Sequence, residues 1–353
     1  MPPLSPKIKI FGDPNMKGIS KRHMISALLG VGLAALLIWG WETDPKPVYF
    51  HNEGKVFGTY YNIRYEATTD LEDSIRAALT AFDNSLSMFN PHSVLSAVNA
   101  NRDTTTDAAF ENMWAEAERV YTLSHGAFDI TVAPLVNYWG FGFAEKQSHI
   151  THHTSHIDSL LSFVGFEKVT LFEHKVIKSD PRIQLDAGAV AKGQACDMIA
   201  DVLRRQGCDN FLVEIGGEVV CHGLNDKGEP WRVGITKPKL DNEGAEEDFQ
   251  HIIASSNICM ATSGNYRNYY YADGERRSHT IDPRTGYPVQ HSLLSATVVS
   301  SSCMRADALA TACMVLGADE AIQMMEQAGD AACYLIVAQA DSLITRTSPN
   351  WKE

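Results

Sequence analysis

The stretch Asn210-Phe211-Leu212-Val213-Glu214-Ile215-Gly216-Gly217-Glu218-Val219-Val220-Cys221-His222 reads as two β-rich runs joined by Gly-Gly, which is the turn chemistry of a hairpin. Just upstream, Gly193 to Gln206 sets Ile199 and Leu203 four apart on one face and is closed by Gly207, a helix with its stop signal. The same alternation extends outward. Toward the N-terminus, Gly58 to Tyr65 alternates and is rich in β-formers. Leu71 to Leu86 carries Ile75, Leu79, Phe82 and Leu86 at helical spacing, and Phe110 to Ser124 is a helix ending at Gly126. Toward the C-terminus, Trp231 to Thr236, Ile252 to Ser255, Ile258 to Thr262, Tyr269 to Tyr271 and Ala296 to Ser300 read as strands. Arg305 to Leu316 and Asp319 to Gln327 are helices separated by Gly317, and Ala332 to Ala338 with Leu343 to Arg346 are closing strands. Hairpins mixed with helices, without a tandem repeat after residue 41, predict an α+β fold of mixed sheet and helices rather than a doubly wound parallel sheet.

The chain has 353 residues, 44% hydrophobic and 21% charged, enough apolar surface for a real core and too much for a disordered chain. Its 43 acidic and 30 basic side chains leave a net charge of −13, the wrong sign for a protein whose partner is nucleic acid. The ends differ in character from the body. Residues 1–23 form a basic N-terminus, with Lys7, Lys9, Lys17, Lys21 and Arg22 against Asp13. Met24 to Trp41 then runs without a charge for about the thickness of a bilayer, and Trp39 and Trp41 stand where interfacial aromatics sit. A transmembrane helix or signal anchor over 24–41 follows, its basic flank cytoplasmic and the acidic body on the far side; a cleaved signal peptide is the rival. Residues 42–54, with Pro45 and Pro47, predict a linker, residues 55–348 the domain, and residues 349–353 a tail. Seven cysteines, an odd number without a C-x-x-C pair, imply neither a zinc ribbon nor a full disulfide framework; Cys196 and Cys313 read as small core residues.

Five segments could carry chemistry. Leu185-Asp186-Ala187-Gly188-Ala189-Val190-Ala191-Lys192-Gly193 puts two glycines and small residues between a strand and a helix, where backbone N–H groups can approach a phosphate. It lacks the Walker order, since Lys192 precedes Gly193, and a tight turn is the bland alternative. In Arg305 to Ala312, Asp307 and Thr311 stand four apart on one helix face, a carboxylate and a hydroxyl suited to a hard cation such as Mg²⁺; a helix-capping role for Asp307 is the alternative. His279 begins a segment that Pro283 and Gly286 can fix as a turn, and serves either as a proton acceptor or as a structural imidazole. Gly126 to Gly142 sets Asp129 among aromatic and apolar residues that could wall a flat ring system or pack a core. His149, His152, His153 and His156 share a spacing that could hold a transition metal, although exposed loop histidines need none.

Together, the Gly126 to Gly142 stretch, the Leu185 to Gly193 turn, Val213 to Glu218, Thr262 to Tyr269, His279 to Pro288 and Ala306 to Ala312 resemble the FAD:protein FMN transferase family, ApbE, in order over about residues 55–348. The resemblance implies an enzyme that cleaves FAD at its pyrophosphate and attaches FMN to a Ser or Thr of an acceptor protein, releasing AMP. That acceptor would be a subunit of a membrane redox complex. It further implies Mg²⁺ ligands at Asp307, Thr311 and the main-chain carbonyl of Ala189, with His279 as the candidate base. Flavin and adenosine contacts would fall on Phe57, Phe89, Ala127, Phe128, Asp129, Asp186, Lys192 and Ile281. Phe57 stands where many members place Met, Phe89 where Tyr is frequent, Lys192 where some have Glu, and Ala310 where some have Asp. Water in place of the acceptor hydroxyl would make the chain an FAD pyrophosphatase, and the absence of cleavage a flavin carrier.

Overall fold

β1 (Val48–Val56) and β2 (Thr59–Ala67) start the sheet as an antiparallel pair, turning through Phe57 and Gly58 at φ of +51° and +75°. These elements belong to a computed structural model that describes residues 46–142, 154–238, 248–266, 268–272, 275–340 and 342–352. The chain divides into Met1–Pro47 and Val48–Glu353. The linker expected over 42–54 is therefore strand from Val48 onward. Alternate polar residues (His51, Glu53, Lys55) give β1 the look of a connector. What holds it is cross-strand and remote: Asn52, buried, accepts from Tyr65 Oη at 2.8 Å and donates to Asp70 at 3.2 Å, and Phe50 stacks on Tyr65. Met24 to Trp41, read as a membrane span, and His149, His152 and His153 lie outside the described residues. Among the described residues no helix is long and apolar enough to cross a membrane.

After β2 come α1 (Glu72–Leu86), α2 (Val94–Asn99), α3 (Ala108–Leu123), α4 (Ala133–Tyr138) and α5 (Thr154–Leu161). A small hairpin of β3 (Val169–Phe172) and β4 (Lys175–Lys178) precedes α6 (Ala191–Arg205), which leads into β5 (Phe211–Ile215) and β6 (Glu218–His222). Then follow β7 (Trp231–Thr236), β8 (Phe249–Ser255), β9 (Asn257–Gly264), β10 (Tyr269–Ala272), β11 (Glu275–Ser278) and β12 (Leu293–Ser300). α7 (Cys303–Leu316), α8 (Ala318–Ala328), β13 (Ala332–Gln339) and β14 (Ser342–Thr347) end the fold. The main sheet runs β1-β2-β5-β6-β9-β12-β13-β14, and every neighbouring pair is antiparallel. The α+β expectation holds, with an antiparallel sheet in place of the mixed one, as hairpin connections dictate. The Gly-Gly hairpin pairs Ile215 with Glu218, with Gly216 and Gly217 at φ of +64° and +102°, values that side chains rarely tolerate.

The sheet is covered on both sides. On one face Ile63, Val213, Ile215, Val298 and Leu335 join Leu79, Ile199, Leu309 and Met325 from the helices in one core. On the other, Val219, Cys221, Ile258 and Met260 meet Trp231 and Val233 of β7. The central strands are consequently apolar on both faces, which is why β12 is buried over six successive positions instead of alternating. α7 is buried nearly all round, as its alanines permit, and its few polar residues are turned to partners within the fold, Asp307 toward Lys192 and Arg305 toward Glu116.

Close approach of α6 to α7 needs Gly193. A Cβ there would stand 2.3 Å from the Cys303 carbonyl oxygen and 2.8 Å from the Met304 nitrogen, both backbone atoms that cannot swing aside. Gly193→Ala is expected to destabilise the fold by about 1–3 kcal/mol, the usual cost of overpacking, read as a lower urea midpoint at unchanged slope. An unchanged midpoint would mean that the two helices have slack.

Candidate active site

The segment before α6 is extended but unladdered, not the strand expected there. Asn99 brackets Leu185, donating to its carbonyl at 2.8 Å and accepting from its amide at 2.7 Å, and Asp186 N–H reaches the Ile130 carbonyl. Asp186 Oδ1 then accepts from Gly188 N–H at 2.7 Å, folding the chain into the turn that carries Ala189 to the start of α6. Burial raises the Asp186 carboxyl above its ordinary range, with the Gly188 amide and Lys192 opposing.

Across from this turn lies α7. Its capping is done by others: Ser302 accepts from Arg305 N–H, and Asp197 from the amides of Cys303 and Met304 at 2.9 Å each. Asp307 is thus not needed to cap its own helix and sits one turn inside it, only 2% exposed. Its Oδ2 accepts from Gly193 N–H at 3.0 Å, one of the first-turn amides of α6 that have no partner within the helix, so it caps that neighbouring N-terminus, and it lies 3.6 Å from Lys192 Nζ. Thr311, one turn on, has its hydroxyl 3.2 Å from that of Ser263 on β9.

Glu218, the first residue of β6, completes the cluster. Its Oε1 is 3.1 Å from Lys192 Nζ, while Oε2 is buried with no hydrogen-bond partner among the described residues. Burial pushes the Glu218 carboxyl up, and the Lys192 ammonium pulls it back; Asp307 and Glu218 together keep that half-buried ammonium charged. By sequence Glu218 stands only as the first residue of the second hairpin strand, with no role in the site. Its signal is a carboxylate opening the run Val219-Val220-Cys221, since a strand buried on both faces admits a charge only with a partner.

Asp307, Thr311, Ala189, Asp186 and Lys192 line one cavity of about 970 Å³, at the upper end of small-molecule sites. Ala127, Phe128, Asp129, His279 and Ile281 line it too. His279 follows β11 with Nδ1 3.2 Å from the Asn268 carbonyl, and Phe141 sets its ring edge-on at 6.2 Å. Burial lowers its pKa, against the Asn268 carbonyl and with the help of Lys192. The expected turn at Pro283 and Gly286 forms, with Gly286 N–H on the Asp282 carbonyl at 2.8 Å.

Three of the sequence-derived site residues stand differently. Phe57 does not line the cavity: it sits in the β1–β2 turn, its ring packed 5.4 Å from that of Phe82. Phe89 is 66% exposed and also off the lining, where its neighbour Met88 stands instead. Asp129 reaches the cavity, yet its oxygens are committed to the chain itself. It caps the short helix Ile130–Val132 by accepting from Thr131 N–H and Oγ1, and it accepts from Phe166 N–H at 3.0 Å. Burial raises it to about 6 in spite of those bonds. Of the histidine group, His156 is described, packed against Tyr138, and no cluster of three or more His, Cys, Asp or Glu among the described residues could hold a metal.

A sequence model of the ApbE family matches residues 57–335, most of the chain and all of the residues that line the cavity. The chain belongs to the ApbE family. Its ApbE relatives include the FAD:protein FMN transferase of Haemophilus influenzae, 35% identical over 347 residues, covering 94% of this chain and 98% of that one. The FAD:protein FMN transferase of Vibrio cholerae is 36% identical over 91% of this chain and 97% of its own length. Among solved structures, the flavin transferase ApbE from Vibrio cholerae superposes with a TM-score of 0.78 at 34% identity, covering 86% of this chain and 98% of that one.

Proposed function

We propose that this chain is an FAD:protein FMN transferase that moves the FMN part of FAD to a Ser or Thr hydroxyl of an acceptor protein. The observation that carries the reading is the convergence of Lys192, Asp307, Thr311 and the Gly188–Gly193 turn on the floor of a dinucleotide-sized cavity that also holds His279. Forming the new ester joins the acceptor oxygen to the flavin-side phosphorus and breaks that phosphorus from the bridging oxygen, so AMP departs. The hydroxyl proton goes to His279. Its Nδ1 faces a carbonyl, which only accepts, so the ring proton sits there and Nε2 keeps the free lone pair. Lys192 offsets phosphate charge, and the aromatic wall around Phe128 and Phe141 shields the flavin from water.

The oxygen set also fits Mg²⁺. Asp307 supplies a buried carboxylate whose nearest ammonium is shared with Glu218, Thr311 supplies a hydroxyl, and Ala189, whose carbonyl would be the third oxygen, lines the same cavity. When bound, the ion would neutralise diphosphate charge and orient the phosphorus for in-line attack.

The basic residues before Met24 and the apolar run to Trp41 support a tether that puts the catalytic unit on the extracytoplasmic side, facing subunits of membrane redox complexes. The test is incubation of the purified chain with FAD, Mg²⁺ and such an acceptor. The expected result is an acceptor heavier by one FMN, with fluorescence that survives denaturation, and one AMP released per flavin transferred. AMP without labelled acceptor would make the chain a pyrophosphatase, and bound, uncleaved FAD a carrier.

A further inference from the structure

We propose that Glu218 is a positioning residue that holds the Lys192 ammonium away from Asp307 and so keeps the Asp307 carboxylate open to a divalent cation. The inference rests on the metal reading of Asp307 and goes beyond it. Lys192 Nζ lies between two buried carboxylates, 3.1 Å from Glu218 Oε1 and 3.6 Å from Asp307 Oδ2. Both acids are about 2% exposed, so water cannot substitute for either as the counter-charge of the ammonium. The nearer of them decides where the ammonium rests. Glu218 is held by its place at the start of β6, directly after Gly216 and Gly217, with its carbonyl taking the Cys196 thiol. A Cβ on Gly216 would come within 3.2 Å of the Lys192 side chain, so the turn also leaves room for the lysine to lie toward Glu218.

Removing the Glu218 charge while keeping its shape leaves Asp307 as the nearest anion for Lys192, with Asp186 farther off. The ammonium then closes on the oxygens a metal would take, and the site loses its attraction for cations. Removing Lys192 does the reverse. Removing both charges restores an unopposed Asp307. This order distinguishes positioning from a general packing role, because damage to packing is not repaired by a second substitution.

The experiment is a titration of the full chain with Mn²⁺, free of flavin, following unbound ion by electron paramagnetic resonance. Glu218→Gln is expected to weaken Mn²⁺ binding about tenfold, Lys192→Met to tighten it, and the double variant to return near wild type. Equal affinity in wild type and Glu218→Gln would overturn the proposal while leaving the metal reading intact. If wild type binds no Mn²⁺, the metal reading falls and the proposal with it. Should Glu218→Gln lose its fold by circular dichroism, Lys192→Met still decides, and no gain in affinity there overturns the role of Glu218.

Discussion

Asp307→Ala is expected to lower metal-dependent turnover of FAD on the order of 10³-fold, equivalent to about 4 kcal/mol of transition-state stabilisation. The loss has two parts. One is the anion that a divalent ion needs next to a diphosphate. The other is the acceptor for Gly193 N–H, which fixes where the turn meets α7. Asp307→Asn separates them, since the amide oxygen still accepts from Gly193 while the charge is gone. If the charge dominates, the asparagine variant is as poor as the alanine one, and its thermal midpoint stays near wild type. AMP release at wild-type rates in either variant, with Mg²⁺ still required, would remove Asp307 from the metal site.

His279→Ala is expected to cost 10²- to 10⁴-fold in transfer to the acceptor, the usual range for a lost general base. The pH dependence carries a sign. Burial holds the imidazole below its ordinary pKa of 6.5, so it is neutral and competent at pH 7. In wild type kcat/KM then falls only as pH drops below that ordinary value, and the fall is absent in His279→Ala. A loss below tenfold with the acid limb unchanged would demote His279 to orienting the flavin.

The hairpin and helices were legible because their signals are local. Gly-Gly between two β-rich runs has one economical solution, and Asp307 and Thr311 share a face by helix geometry alone. Elements that escaped take their stability from distant partners. β1 depends on Asn52 meeting Tyr65 and Asp70, and the β3–β4 turn uses Glu173 and His174 at φ of +46° and +60° in place of the usual Gly or Asn. Glu218 shows the same limit within the site. Nothing in its neighbours along the chain announces Lys192, which reaches it from another element. Phe57 and Phe89 mark the opposite case, where position within a family motif points to the site while the β1–β2 turn and an exposed loop hold the two rings outside the cavity lining.

The two coverings of the sheet divide the cavity's wall. Its floor comes from α6 and α7, embedded in the main core, where any change is felt throughout the fold. Part of its rim comes from the β7–β8 ribbon, whose Val233, Gly234, Thr236 and Phe249 face the cavity while pairing only with each other's strand. Substitutions at the ribbon's cavity-facing positions can therefore reshape the mouth of the cavity at less risk to the main core than substitutions on the two helices.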